Sequence, residues 1–305
     1  MIVNTNTNSD EGTNLTENKV DNTSANSGSA SSVAAEEAAK AIAKWVATFS
    51  ATPIPVLKHT ARELARLQVD EDNLSARAIA AEVMNDPFMV FKVLYYSQKN
   101  KSKYQVQDLI QVEQAIIMMG TTAFFTNLPP APLVDEALKT NLPALTHLLK
   151  LIKRAHRAAH YANDWAVLHI DLHADEIRVA ALLHDLAEML LWCFAPDKMI
   201  QLFATQQINK NMRGKEAQQL ILGFTLMDLQ KALIAKFSLP PLLTKLMQED
   251  VANDQRVKNV TLAVNLARHV ANGWDDAALP DDYVDIARFL RVDIERAKFI
   301  IGVPV

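Results

Sequence analysis

From Val33 onward, apolar residues recur at intervals of three and four, and almost nothing recurs at intervals of two. Val33, Ala38, Ile42, Trp45 and Phe49 fall on one helical face, because 3.6 residues per turn brings such positions together. Alternating β-branched runs bounded by turn pairs, the mark of strands, are missing. Only seven glycines occur in 305 residues. The pattern restricts the chain to an all-α fold. No fixed-period self-similarity argues for a solenoid.

Punctuation divides the chain. Residues 1–32 are rich in Asn, Thr and Ser and poor in apolar groups, so they cannot bury enough surface to offset their ordering entropy. We read them as a disordered polar tail. A first helix then runs through Trp45 and Phe49 to the break at Pro53 and Pro55, and a second passes through Leu57, Leu64 and Leu67. Ser75 is placed to cap the next helix. Asp86-Pro87 starts another, with proline in the first turn where its missing N–H costs nothing. Gly120 is placed to end the "VEQAIIMMG" helix. After the break at Pro129-Pro130, a long helix is expected from Leu142 to Trp165 on Leu145, Leu148, Leu149, Ile152, Ala155 and Ala159. "AALLHDLAEMLLW" (Ala180 to Trp192) follows as one buried helix. Further helices are expected around Glu216–Phe237, Pro240–Glu249, Val257–Ala271, Asp282–Leu290 and Asp293–Ile301.

Half of the residues are hydrophobic, so a large core is available. The net charge of −4 and a pI near 6.1 leave no electrostatic footprint for nucleic acid. No segment reaches the roughly 20 apolar residues of a membrane span. The N-terminus lacks the apolar stretch of a signal peptide. One cysteine, Cys193, permits neither a disulfide framework nor a cysteine-based zinc site. A soluble cytoplasmic protein is expected. No Gly-rich phosphate loop or serine nucleophile elbow is present.

Two spots concentrate polar chemistry. His184 and Asp185 are adjacent inside an apolar run, where burial costs free energy unless each has a partner. On a continuous helix their side chains diverge by about 100°, so a metal would lie in the wedge between them. Two ligands are too few for a stable site. Structural pairing, with each group satisfied by neighbouring donors and acceptors, is the plainer reading. In "HRAAH", His156 and His160 are four apart, with Asp164 four further on, a spacing able to hold zinc. The metalloprotease glutamate is absent, and the face is offset from the Leu145–Leu149–Ile152 stripe, so these groups are expected to face solvent. His169 and His173 fall in a connection. Cys193 reads as a small core residue with no activating cation beside it, and Met118-Met119 as gap-filling core.

Several stretches together resemble the HDOD family, non-catalytic output relatives of the HD-type metal phosphohydrolases. They are "IPVLKHTARELARL", "SARAIAAEVMNDPFMVFKVL", "IQVEQAIIMMG", "AALLHDLAEMLL" and "GFTLMDLQKALIAKFSLP", in the family's order and spacing. The resemblance extends from about Ala51 to Val270. It implies a globular multi-helix HD-like bundle, with an N-terminal helical lobe at 33–130 and an HD-like lobe at 131–305. HD enzymes use a first histidine, the His-Asp pair and a distant aspartate. Here Arg154 stands at the first position and Arg268 near the last, beside His184 and Asp185. Thr225-Leu226 replaces a further Asp-His, Glu249-Asp250 a His-His pair, and Ser97-Gln98-Lys99 the usual Asn-Ser-Ala.

The resemblance therefore implies a bacterial signalling or regulatory module with a degenerate metal site. It would be non-enzymatic and without cofactor, acting through unidentified protein partners or as a homo-oligomer. The alternative is a metal-dependent phosphohydrolase with a rearranged site of His184, Asp185 and Glu188 or Asp250. A third reading is a helical scaffold unrelated to HD proteins. On the first reading, a guanidinium has taken the metal's place: Asp185 should be paired with Arg154 or Arg268, since arginine can grip a carboxylate with two parallel donors.

Overall fold

The computed structural model describes residues 24–70, 74–101, 110–247 and 254–304. Among them the regular structure is helical throughout, and one isolated bridge pairs Val56 with Leu133. The first helix, α1 (Ser24–Ala51), begins nine residues ahead of the boundary expected from composition. Alanine is the strongest helix former, and helix propagates cooperatively from a good nucleus, so the Ala-rich run from Ala34 carries the helix backward into polar sequence. The rest of the polar tail expected at 1–32 lies outside the described residues.

The expected cap residues have local roles. α2 (Lys58–Val69) is followed by α3 (Ala76–Val83), whose N-cap Ser75 accepts from the Ala78 N–H at 3.1 Å. Asp86 caps α4 (Pro87–Lys99): its Oδ1 accepts from Phe88 and Met89, and its Oδ2 accepts from the Leu57 N–H at 2.7 Å. That third bond ties the entrance of α2 to the entrance of α4. Gly120, at φ 83°, separates α5 (Val112–Met119) from α6 (Thr121–Asn127). A side chain is disfavoured at this backbone angle. After the short α7 (Val134–Ala137), Asn141 caps α8 (Leu142–Leu168), a helix about 40 Å long.

α8 is the axis of the fold. It packs against α9 (Ala174–Leu183), α10 (Leu186–Phe194), α11 (Pro196–Ile208) and α15 (Gln255–Val270). Its buried face is Leu148, Ile152, Ala155, Ala159, Ala162 and Trp165. Small residues there let neighbouring helices approach closely, and Trp165 fills the space beyond them. Leu149, expected on this stripe, is exposed. The remaining helices are α12 (Gly214–Leu222), α13 (Leu226–Lys236), α14 (Pro241–Leu246), α16 (Leu279–Leu290) and α17 (Ile294–Ile301). α1 lies against α13, and the Phe49 ring meets Phe194 edge-on at 5.3 Å.

Several expectations are corrected. The single helix expected over Glu216–Phe237 is two, because Gly223 adopts a left-handed φ of 81° and ends α12. The apolar run Ala180–Trp192 also breaks, between Leu183 and Leu186, so His184 and Asp185 form the corner between α9 and α10. The 100° wedge of a continuous helix does not apply to them. Met118 is 66% exposed and only Met119 packs on the core. Val33 is exposed, whereas Phe49 at the other end of that helix is buried in the core. No single helix among the described residues is long and apolar enough to cross a membrane.

Candidate functional site

The α9–α10 corner is held by a side chain. Gln230 of α13 is buried; its amide donates to the Leu183 carbonyl at 3.0 Å and accepts from the Ala187 N–H at 2.7 Å. It thus satisfies one group on each side of the break, where a buried unpaired backbone group would cost free energy. Asp185 occupies the N-cap position of α10 but makes no capping bond. Gln230 has taken that task, so both Asp185 oxygens are available to other partners.

Those partners come from two neighbouring helices. Arg154 on α8 places Nη2 2.7 Å from Asp185 Oδ2, and Arg268 on α15 places Nη2 2.8 Å from Asp185 Oδ1. His184 Nδ1 lies 3.0 Å from the same Oδ1, an arrangement in which Nδ1–H donates to the carboxylate. Arg154 Nη2 also reaches Glu188 Oε2 at 3.3 Å. The structure therefore brings together Arg154, His184, Asp185 and Arg268. Each arginine offers one nitrogen to a different Asp185 oxygen, rather than one arginine gripping both oxygens in parallel. Arg154 Nε is buried without a hydrogen-bond partner.

The electrostatics follow from these contacts. Burial alone would raise the Asp185 carboxyl. The Arg268 charge, the His184 hydrogen bond and the Arg154 charge outweigh burial and hold it well below the ordinary carboxylate range. Burial raises Glu188, and the adjacent Asp185 charge adds to this against the pull of Arg154. Arg154 is pulled down by burial, but Asp185 and Glu188 more than compensate, so its guanidinium is held charged more firmly than usual. The cluster lines a cavity of about 500 Å³ whose opposite wall includes Arg213, Gln218 and Thr225.

These groups do not fit a metal centre. Both Asp185 oxygens carry guanidinium contacts, and a cation set between Arg154 and Arg268 would meet like charge on two sides. Among the described residues, no three His, Cys, Asp or Glu side chains are grouped to hold a metal ion. Glu188, a ligand in the alternative reading, is engaged by Arg154. Glu249 and Asp250 lie outside the described residues.

The other sequence candidates go elsewhere. His156 is half-buried, against the solvent-facing expectation, and its Nε2 meets the Asn85 carbonyl oxygen at 3.1 Å. Arg154, Ala155 and Ala158 turn that part of α8 inward, so its neighbour His156 is partly covered too. His160 pairs with Asp164 at 3.3 Å on the surface, and the two histidines share no partner. His173 Nδ1 lies 3.2 Å from Glu176, and His169 packs edge-on against Phe289. Cys193 is buried; burial, helped by the Asp86 charge, pushes its thiol far up, away from the reactive thiolate. Sequence reasoning missed Gln230, whose role depends on a helix break that the apolar pattern does not reveal.

The chain matches the HDOD domain over residues 54–252, well over half its length. No curated protein matches it. Its fold is similar to the MmoQ response regulator of Methylococcus capsulatus, at 17% identity and a TM-score of 0.61, covering 82% of this chain and 98% of that one. It is also similar to a virulence factor of Campylobacter jejuni, at 16% identity and a TM-score of 0.58, covering 83% and 94%. At such identities the likeness is one of fold alone. The family match carries the assignment: this chain belongs to the HDOD domain family.

Proposed function

We propose that this protein is a non-catalytic regulatory module of bacterial signalling that acts through protein contacts, with arginine occupying the metal position of its HD-type relatives. The observation that supports this best is the pair of guanidinium groups on the two oxygens of Asp185. A metal phosphohydrolase needs that carboxylate for its ion and an open position for water. Here the carboxylate is spent on fixed positive charge, which stabilises an anion without supplying a nucleophile. The family assignment agrees with a regulatory role, and one protein of similar fold is named a response regulator.

The test is metal content of natively purified protein by mass spectrometry, joined to an assay on bis-p-nitrophenyl phosphate with added Mn²⁺, Fe²⁺ or Mg²⁺. The expected result is substoichiometric metal and turnover no different from Asp185→Ala. Near-stoichiometric metal surviving EDTA, or turnover that the substitution removes, overturns the proposal.

A further inference from the structure

A second cavity, of about 480 Å³, lies on the other side of Arg154, between α8, α10, α11 and α15. Its charge is one-sided. Lys150, Lys153, Arg154 and Arg157 line it, and Glu188, already bonded to Arg154, is its sole lining acid. The four cations are spaced i, i+3, i+4 and i+7 along α8, so they form one stripe about 10 Å long. Among the described residues, Lys150, Lys153 and Arg157 appear in no ion pair with a carboxylate. The whole chain carries a net charge of −4. An acidic protein that gathers unpaired cations round a concave surface presents a local anion site.

Aromatic rings gather at one end of the row: His147, three residues before Lys150 on α8 itself, with Trp192 of α10 and Phe203 of α11. The His147 ring stacks on Trp192 at 5.0 Å and 9°, and Phe203 lies 4.3 Å from the same imidazole. Trp192 is buried, but Phe203, which lines the cavity, is 40% exposed. This pairing of rings with a cation row suits a ligand that has both a flat apolar part and several negative charges. The cavity volume falls in the range of small-molecule sites, roughly 300–1,000 Å³.

We infer that this groove binds a nucleotide, with its phosphates along Lys150, Lys153 and Arg157 and its base against Phe203 and His147. Its phosphate-binding residues Lys150, Lys153 and Arg157 lie outside the proposed metal-replacement cluster, and the groove does not rest on that proposal. The two meet at Arg154, so a bound polyphosphate would compete with Asp185 and Glu188 for one guanidinium. Nucleotide binding would thereby loosen the α8–α10 contact, which gives a regulatory module a way to sense its ligand.

The test uses the full chain and calorimetric titration with ATP, GTP, pyrophosphate and adenosine in chelator-treated buffer. ATP or GTP is expected to bind, with affinity falling as salt rises. The paired substitution Lys150→Glu and Lys153→Glu, both at exposed positions, is expected to weaken binding at least tenfold while leaving the unfolding midpoint unchanged. Phe203→Ala is expected to weaken the nucleotide several-fold and pyrophosphate hardly at all. No binding of ATP, GTP or pyrophosphate at millimolar concentration overturns the inference. So does binding that the charge reversal leaves intact, or capture of an acidic peptide such as oligoglutamate with no capture of nucleotide. Hydrolysis of the bound nucleotide would instead refute the non-catalytic reading while leaving the groove standing.

Discussion

Asp86 and Asp185 both occupy the N-cap position of a helix and both are largely shielded from water, yet their oxygens are used differently. Asp86 serves the backbone: Phe88, Met89 and Leu57 donate to it, and among the described residues it forms no ion pair, the Lys92 charge acting on it only without contact. Asp185 serves side chains: two arginines and a histidine converge on it, while Gln230 caps the helix in its stead. Burial pushes the Asp86 carboxyl up to about 6 despite its three N–H donors. The neighbouring cations hold Asp185 well below the ordinary range. Backbone dipoles only partly replace lost hydration, whereas fixed full charges exceed it. A carboxylate relieved of structural duty by another residue is free for a site, and that distinguishes the second aspartate from the first.

The largest expected effect is at the charged cluster. Asp185→Ala leaves two guanidinium groups without their anion, which costs about 3–5 kcal/mol for a buried pair. The lower end applies, because Arg268 is more than a third exposed and can turn to water. Urea denaturation measures it, and the Asp185→Ala, Arg154→Ala double variant should lose less than the sum of the singles. A loss below about 1 kcal/mol would remove the contrast between the two aspartates.

Asp86→Ala should come next, at about 2–3 kcal/mol, from a lost helix cap and a stranded Leu57 N–H. Its signature is local: amide exchange should accelerate at Leu57, Phe88 and Met89 and stay unchanged at Ala187. Acceleration spread equally over both regions would contradict the separation of roles. Gln230→Leu should cost about 1–2 kcal/mol, since it leaves the Leu183 carbonyl and the Ala187 N–H unpaired. It sharpens the comparison, because Asp185 can then turn to cap α10. If it does so, the coupling between Asp185 and Arg154 shrinks in the Gln230→Leu background.

The smallest effect is the pH slope, at most about 1.4 kcal/mol per pH unit for each group. Asp185 has a depressed folded value. Its stabilisation is present above its unfolded pKa of about 3.9 and is lost as the pH falls through the folded value. Asp86 has a raised value. Its contribution is greatest below about pH 4 and is lost as the pH rises from there through about 6. Unfolding free energies from pH 2 to 7 should therefore flatten at the acid end in Asp185→Asn and flatten between pH 4 and 6 in Asp86→Asn. The same change of slope in both variants would show that the two carboxyls share one environment.

Much of the helical plan was legible in the sequence because its signals are local. Ser75, Asp86 and Gly120 cap helices through groups within three or four residues, so their neighbours in sequence are their partners in space. The α9–α10 corner was not legible. Leu182, Leu183, Leu186, Ala187 and Leu190 are all buried, and an apolar run buried on every side has no face from which periodicity could register a turn. Arg154 and Arg268 came into view only through resemblance to a family pattern, since they stand 31 and 83 residues from Asp185. The cation stripe of α8 was hidden by the aliphatic residues between its members, and its significance depends on the cavity that other helices close around it. Gln230 was invisible because its partners exist only where a helix stops.

The seating of α1 against α13 has a consequence for the order of synthesis. The ribosome completes α1 at Ala51 and does not reach the start of α13 until Leu226. At 5–20 residues per second, the first helix waits roughly 10–35 s for the surface it will cover. Until then Phe49, which ends 1% exposed, and the half-covered Trp45 lack their α13 cover, although Phe194 of α10 emerges earlier and meets the Phe49 ring. α1 is thus fully seated only long after it has been made. Its apolar side is a ready target for chaperones on the nascent chain, and a chain stalled before α13 would be released with that side only partly covered.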